Sequence, residues 1–128
     1  MAKFDLTLDI LPVISERFRA LADPARLHLL ICLRAGSMTV SELVEATALQ
    51  QANVSKHLQI LHERGFVTRR KEGLFVRYSL AGSDIFRLCD IMCGRLEAEL
   101  TDRAAKMSVA RPDRRRNRPA AARRARSP

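Results

Sequence analysis

The chain has 128 residues, enough for one domain with a tail, and its 47% apolar content can fill a core of Leu, Ile and Val, since aromatic residues make up 5% and Trp is absent. It lacks an uninterrupted apolar run of the roughly 18 residues that a membrane helix needs, and Asp5 and Asp9 interrupt what would have to be a signal core, so a cytoplasmic protein without membrane contact is expected. The net charge of +9 is unevenly placed: residues 111–128 hold eight Arg and one Asp, the other 110 residues carry only +2, and residues 55–78 among these hold a local +4. Positive charge gathered in one segment and one tail predicts a single anionic partner surface.

Ile10, Leu11, Ile14, Phe18 and Leu21 recur at helical spacing, and Pro12 suits a first turn, so residues 10–22 should form a helix. "ADPARLHLLICLRAG" starts a second helix with Asp23 as N-cap and Pro24 at the first helical position, and Gly36 stops it. Apart from Arg26, His28 and Arg34 its sides are apolar, which places it in the middle of the fold. In "MTVSELVEATAL", Thr39 and Glu42 have the spacing of a capping box and begin a short helix carrying Val40, Leu43 and Val44.

After a turn over Ala46–Leu49, "LQQANVSKHLQILHERG" keeps an apolar rhythm through Leu49, Val54, Leu58 and Leu61 and closes at Gly65. Its other face carries Gln50, Gln51, Asn53, Ser55, Lys56 and His57, with no acid before Glu63. An ordinary solvated face mixes Glu with Lys, whereas amide, hydroxyl, imidazole and ammonium groups are the chemistry that reads base edges and phosphates. Two short helices joined by a tight turn, the second with such a face, form a helix-turn-helix. "FVTRRKEGLFVRYSL" then places β-branched and aromatic residues on both sides of a turn containing Gly73, the pattern of a β-hairpin. A basic hairpin directly after a helix-turn-helix is a wing. The fold class is therefore mainly α with a small β-hairpin, a winged helix-turn-helix.

A last long helix runs through "GSDIFRLCDIMCGRLEAELTDRAAKM", with Ser83 as cap and Ile85, Leu88, Met92, Leu96 and Leu100 as its stripe. From about Ser108 the chain is Arg, Pro and Ala without apolar period, so residues 1–107 are expected to be the folded domain and 108–128 a disordered tail.

For DNA contact, Gln51 and Asn53 are the base-edge candidates, because amides pair bidentately with adenine. Gln50 stands beside them, and Ser55, Lys56 and His57 suit phosphate or base. Arg69, Arg70, Lys71 and Arg77 suit phosphates, with room for one of them in the minor groove. His62 sits near the helix end, where the dipole favours a cation, and needs no functional role.

Cys89 and Cys93 project from one helical face, with Cβ atoms about 5–6 Å apart. That is too far for a relaxed disulfide, which needs about 3.5–4.5 Å, but one metal or metalloid ion could bridge them, with Zn–S bonds of about 2.3 Å as a guide. Cys32 could supply a third sulfur or form a disulfide with one of the pair, and His28, one turn earlier, could complete a Cys₃His set. The alternative is that all three are small apolar core residues, and both readings stay open. A thiol-responsive site would make a small inorganic inducer a partner. An enzyme is not expected: there is no Gly-rich phosphate loop, no nucleophile elbow and no acid pair with an isolated His. A winged helix used for protein or RNA contact is the other class, but it would not need the polar face of residues 50–57.

"LADPARLHLL", "TVSELVEAT", "QANVSKHLQILHERGFV" and "RRKEGLFVRYSL", in this order over residues 20–80, resemble the ArsR/SmtB family of bacterial winged-helix regulators. Ser55-Lys56-His57-Leu58 and the Gly65-Phe66-Val67 exit into the wing are the most specific parts. The resemblance implies a homodimer paired through the first and last helices, which represses a promoter until an inducer weakens its hold on operator DNA. Three features depart from the family pattern. Thr39 and Ser41 stand where metal-sensing members often carry two Cys, residues 83–106 hold no His for a zinc-type site on the last helix, and Ala48 and Gln50 replace the usual Gly and Ser before the recognition helix.

Overall fold

The computed structural model describes residues 7–110, with side chains to Ser108. In chain order it forms α1 (Leu11–Leu21), α2 (Pro24–Leu33), β1 (Met38–Thr39), α3 (Val40–Thr47), α4 (Gln51–Glu63), β2 (Val67–Glu72), β3 (Phe75–Leu80) and α5 (Asp84–Ala110). These divide into two compact units, one ending at Ile85 and the other beginning at Phe86.

The helix starts follow local chemistry. The Asp23 carboxylate accepts hydrogen bonds from the backbone N–H groups of Ala25 (2.8 Å) and Arg26 (3.2 Å), with Pro24 as the first helical residue of α2. Two of the N–H groups that a helix leaves unpaired at its start are thereby satisfied. Thr39 caps α3, its hydroxyl accepting from the Glu42 N–H (3.2 Å) and donating to the Glu42 carboxylate (3.1 Å). At the other end of the helix-turn-helix, Gly65 (φ +81°) ends α4. Its N–H donates to His62 O (3.1 Å) and that of Phe66 to Leu61 O (2.9 Å), the paired bonds of a Schellman motif.

The core of the first unit is aliphatic, as composition implies. Leu29, Leu30 and Leu33 of α2, Leu43 of α3, Val54, Leu58 and Leu61 of α4 and Val67 of β2 are almost fully buried, each such side chain contributing about 1.5–3 kcal/mol. The central position expected for α2 holds on this face alone, because Ile31 is 60% exposed.

The expected hairpin, β2 and β3, is joined by a third strand in an antiparallel sheet of order β1-β3-β2. Met38 pairs with Tyr78 and Thr39 with Arg77, so the residue that caps α3 also ends the extra strand. The helix α5 runs on to Ala110. Ser108, Val109 and Ala110 include neither Gly nor Pro to break it. The disorder expected for residues 111–128, and the Asp5 argument, lie outside the described residues.

Candidate nucleic-acid interface

α4 turns Val54, Leu58 and Leu61 into the core. The 3.6-residue period therefore sends the residues between them outward. Gln51, Asn53, Ser55 and Lys56 are exposed, and so is Gln50, which precedes the helix as N-cap without a side-chain capping bond. Gln59 completes this face and went unnoticed as a site residue, although its place one turn after Lys56 was available as a signal. Its amide donates to the Glu63 carboxylate at 3.2 Å.

His57 departs from the expected free polar face. The ring is half-buried and its Nδ1 lies 3.2 Å from Nη1 of Arg26 on α2. At 240° around the helix from Gln51, it sits at the flank between the outward residues and the core. Only Nε2 is left to meet a ligand.

The wing is built by β2 and β3 in the register Val67↔Leu80, Thr68↔Ser79, Arg69↔Tyr78, Arg70↔Arg77, Lys71↔Val76 and Glu72↔Phe75. Only two residues, Gly73 and Leu74, turn the chain, and Gly73 at the first of them takes φ +61°, as a type II′ turn requires. Paired residues share a face, so Val67 and Tyr78 anchor the root of the hairpin in the core while Arg69 and Lys71 continue that face outward. Arg69, Arg70 and Lys71 are exposed, without an ion pair among the described residues.

Arg77 does not join them. Its guanidinium contacts the carboxylates of Glu72 (2.6 Å) and Glu42 (3.8 Å) and donates to Ser37 O (3.4 Å). These partners tie β3 to the start of α3 and offset the repulsion expected of two Arg side chains directly opposite each other. Arg77 thus braces the wing, and a phosphate contact by its one-third exposed guanidinium would be made alongside these partners.

The acidity of Asp23 is displaced from its ordinary value. Burial acts to raise it, but the N–H groups of Arg26 and Ala25, the Arg26 charge and the neighbouring His57 outweigh burial and hold it below 3.8.

The cysteines are all free: Cys32 is half-buried on α2, Cys89 half-buried and Cys93 exposed on α5. No three His, Cys, Asp or Glu side chains among the described residues stand together as a metal site. Cys32 belongs to the first unit, the other two to the second, and His28 is exposed.

A helix-turn-helix with a polar outer face on its second helix, continued by a basic hairpin, defines a winged helix-turn-helix protein of the nucleic-acid-binding class. Comparison with known proteins agrees. Residues 23–69 match the family described as bacterial regulatory protein, arsR family. The chain is 46% identical over 63 residues to a probable mercury resistance operon repressor of Streptomyces lividans, covering 49% of this chain and 50% of that one. Among solved structures, Rv0081 of Mycobacterium tuberculosis superposes with a TM-score of 0.66 at 31% identity, covering 77% of this chain and 99% of that one. The homodimeric winged helix-turn-helix domain of Mb0332 from Mycobacterium bovis, a possible ArsR-family transcriptional regulator, gives a TM-score of 0.64 at 31% identity, covering 78% and 94%. The chain belongs to the ArsR family of DNA-binding transcriptional regulators, whose members are not enzymes. It spans about half the length of the mercury resistance repressor it matches.

Proposed function

We propose that this chain is a homodimeric, cytoplasmic bacterial repressor that binds operator DNA through α4 and the wing and leaves it when a thiophilic inducer acts on its cysteines. The observation that carries the DNA reading is the exposed face of Gln51, Asn53, Ser55 and Lys56 in the same compact unit as the unpaired cations Arg69, Arg70 and Lys71. In this reading Gln51 and Asn53 pair with base edges, Ser55 and Lys56 with phosphate or base, and the wing cations with phosphates. Gln50 leaves the first N–H groups of α4 without a side-chain cap, available to a phosphate oxygen. Residues 1–110 would bind and dimerise, and the tail from Arg111, with its net +7, would add affinity for any DNA.

Support for thiol sensing comes from Cys89 and Cys93, one half-buried and one exposed, four residues apart on α5. Two sulfurs at that spacing can share one soft metal or metalloid ion, with a third ligand from a second subunit. Alternatively, they can react with a persulfide or an oxidant. Similarity to a mercury resistance operon repressor favours the thiophilic class. Shifting a dimer from 99% bound to 99% released requires about 5.5 kcal/mol of preference for the released form, which two or three metal–thiolate bonds can supply.

The test uses the Cys89→Ser, Cys93→Ser double variant, reduced and without oxygen. It should bind promoter DNA as the unaltered chain does but no longer release it on addition of mercuric ion, arsenite or a persulfide. A double variant that responds to each inducer like the unaltered chain would show that the sensor lies elsewhere.

A further inference from the structure

We infer that Arg26 is a positioning residue for DNA recognition, fixing His57 of α4 as a neutral ring that offers only its Nε2–H to the duplex. The inference rests on the DNA-binding reading above. The Arg26 side chain is only 13% exposed, and its guanidinium distributes its donors over three elements. Nε donates to the carbonyl of Ala20 and Nη2 to that of Arg19 (3.1 Å), both in the last turn of α1, the Arg19 carbonyl also accepting from the N–H of Ala22. Nη1 lies 3.2 Å from His57 Nδ1 and 3.9 Å from the Asp23 carboxylate that caps α2. One largely shielded cation thus joins the end of α1, the start of α2 and the flank of the recognition helix.

The direction of the Arg26–His57 bond follows from chemistry. A guanidinium has five N–H donors, no acceptor, and keeps its proton. Nδ1 must therefore accept, which leaves the proton of the ring on Nε2. His57 then brings a donor but no charge to the interface, and Lys56 is the cation of the exposed α4 face before the C-cap Arg64. Turning the ring would leave a part-buried guanidinium N–H without this partner, which is costly. Lysine at position 26 would keep the charge but could not span three acceptors with a planar fork.

Long-range 1H–15N correlation spectra of the full chain at neutral pH, with His57 identified by its absence in His57→Asn, test the assignment. The expected pattern is a protonated Nε2 and a bare Nδ1. An Nδ1–H tautomer or a doubly protonated ring would overturn the inference. The second arm measures binding to promoter and random duplexes over a salt series. Arg26→Lys should lower the promoter-to-random ratio at least about fivefold without changing the salt slope. His57→Asn, whose amide oxygen can replace Nδ1 as acceptor, should also leave the slope unchanged, whereas Lys56→Ala should lower it by about one. An Arg26→Lys chain with the full ratio, or a His57→Asn chain whose slope falls by one, contradicts the positioning role. Should Arg26→Lys fail to fold, the tautomer in the unaltered chain and the His57→Asn slope still decide. An unaltered chain with no promoter preference would overturn the DNA reading itself, while the tautomer, recorded on free protein, is settled separately.

Discussion

Asp23 accepts two backbone N–H groups at the start of α2 and faces Arg26 across 3.9 Å. Its cap role was legible from the Asp-Pro pair; its link through Arg26 to His57 was not, because those two residues are 31 positions apart and only the tertiary fold joins them. Removing the cap with Asp23→Ala should cost about 1 kcal/mol at neutral pH, read from urea unfolding. Since its acidity in the fold is displaced below 3.8, the carboxylate contributes stability that is fully present above that value and is lost as pH falls through the lower folded value. Asp23→Asn, which keeps an N-cap acceptor without the charge, should therefore lose less stability between pH 5 and pH 2 than the unaltered chain, about those limits being where carboxylates titrate. An equal loss would place the acid sensitivity elsewhere.

At the scale of elements, the helix-turn-helix is held by two residues in the left-handed region. Ala48 (φ 58°) closes α3, its N–H donating to Val44 O at 2.9 Å, and Gly65 closes α4. A side chain in that conformation costs about 1–2 kcal/mol, so the two sites should respond oppositely to substitution. Ala48→Gly should stabilise by up to about 1 kcal/mol, since relief of strain is partly offset by added freedom in the unfolded chain. Gly65→Ala should destabilise by about 1–2 kcal/mol. Thermal unfolding of both variants checks the pair, and the same sign for both would contradict the account. Most of these elements were readable because caps, the Gly65 stop and the Gly73 turn are local signals. β1 was not, since Met38–Thr39 is too short to show an alternating pattern and exists only through its pairing with β3. The exterior position of Ile31 escaped notice for a similar reason: an apolar residue on a mostly apolar helix gives no sign of which side the rest of the fold covers.

For the whole molecule, the apolar surface left uncovered is the main clue to assembly. α1 exposes Leu11, Val13 and Phe18, and α5 exposes Leu88, Ile91, Met92, Leu96, Leu100 and Met107. Such runs of apolar side chains mark interaction surfaces, and a second copy of the chain is the proposed cover. Leu96→Glu should then give a folded monomer in sedimentation, with promoter affinity reduced because one monomer engages one half-site; a dimer that persists with full affinity would exclude α5 from the interface. The central claim concerns the outer face of α4 and the wing. Its most direct test is the affinity of the full chain for its own promoter duplex and for a random duplex, compared with Gln51→Ala, Asn53→Ala and Arg70→Ala over a salt series. The account predicts that one or both amide variants lose about 1–3 kcal/mol on the promoter and relax preference at single base positions. Arg70→Ala should instead weaken both duplexes alike and lower the salt slope by about one. Unchanged promoter preference in both amide variants would contradict the assignment of α4 as the recognition helix.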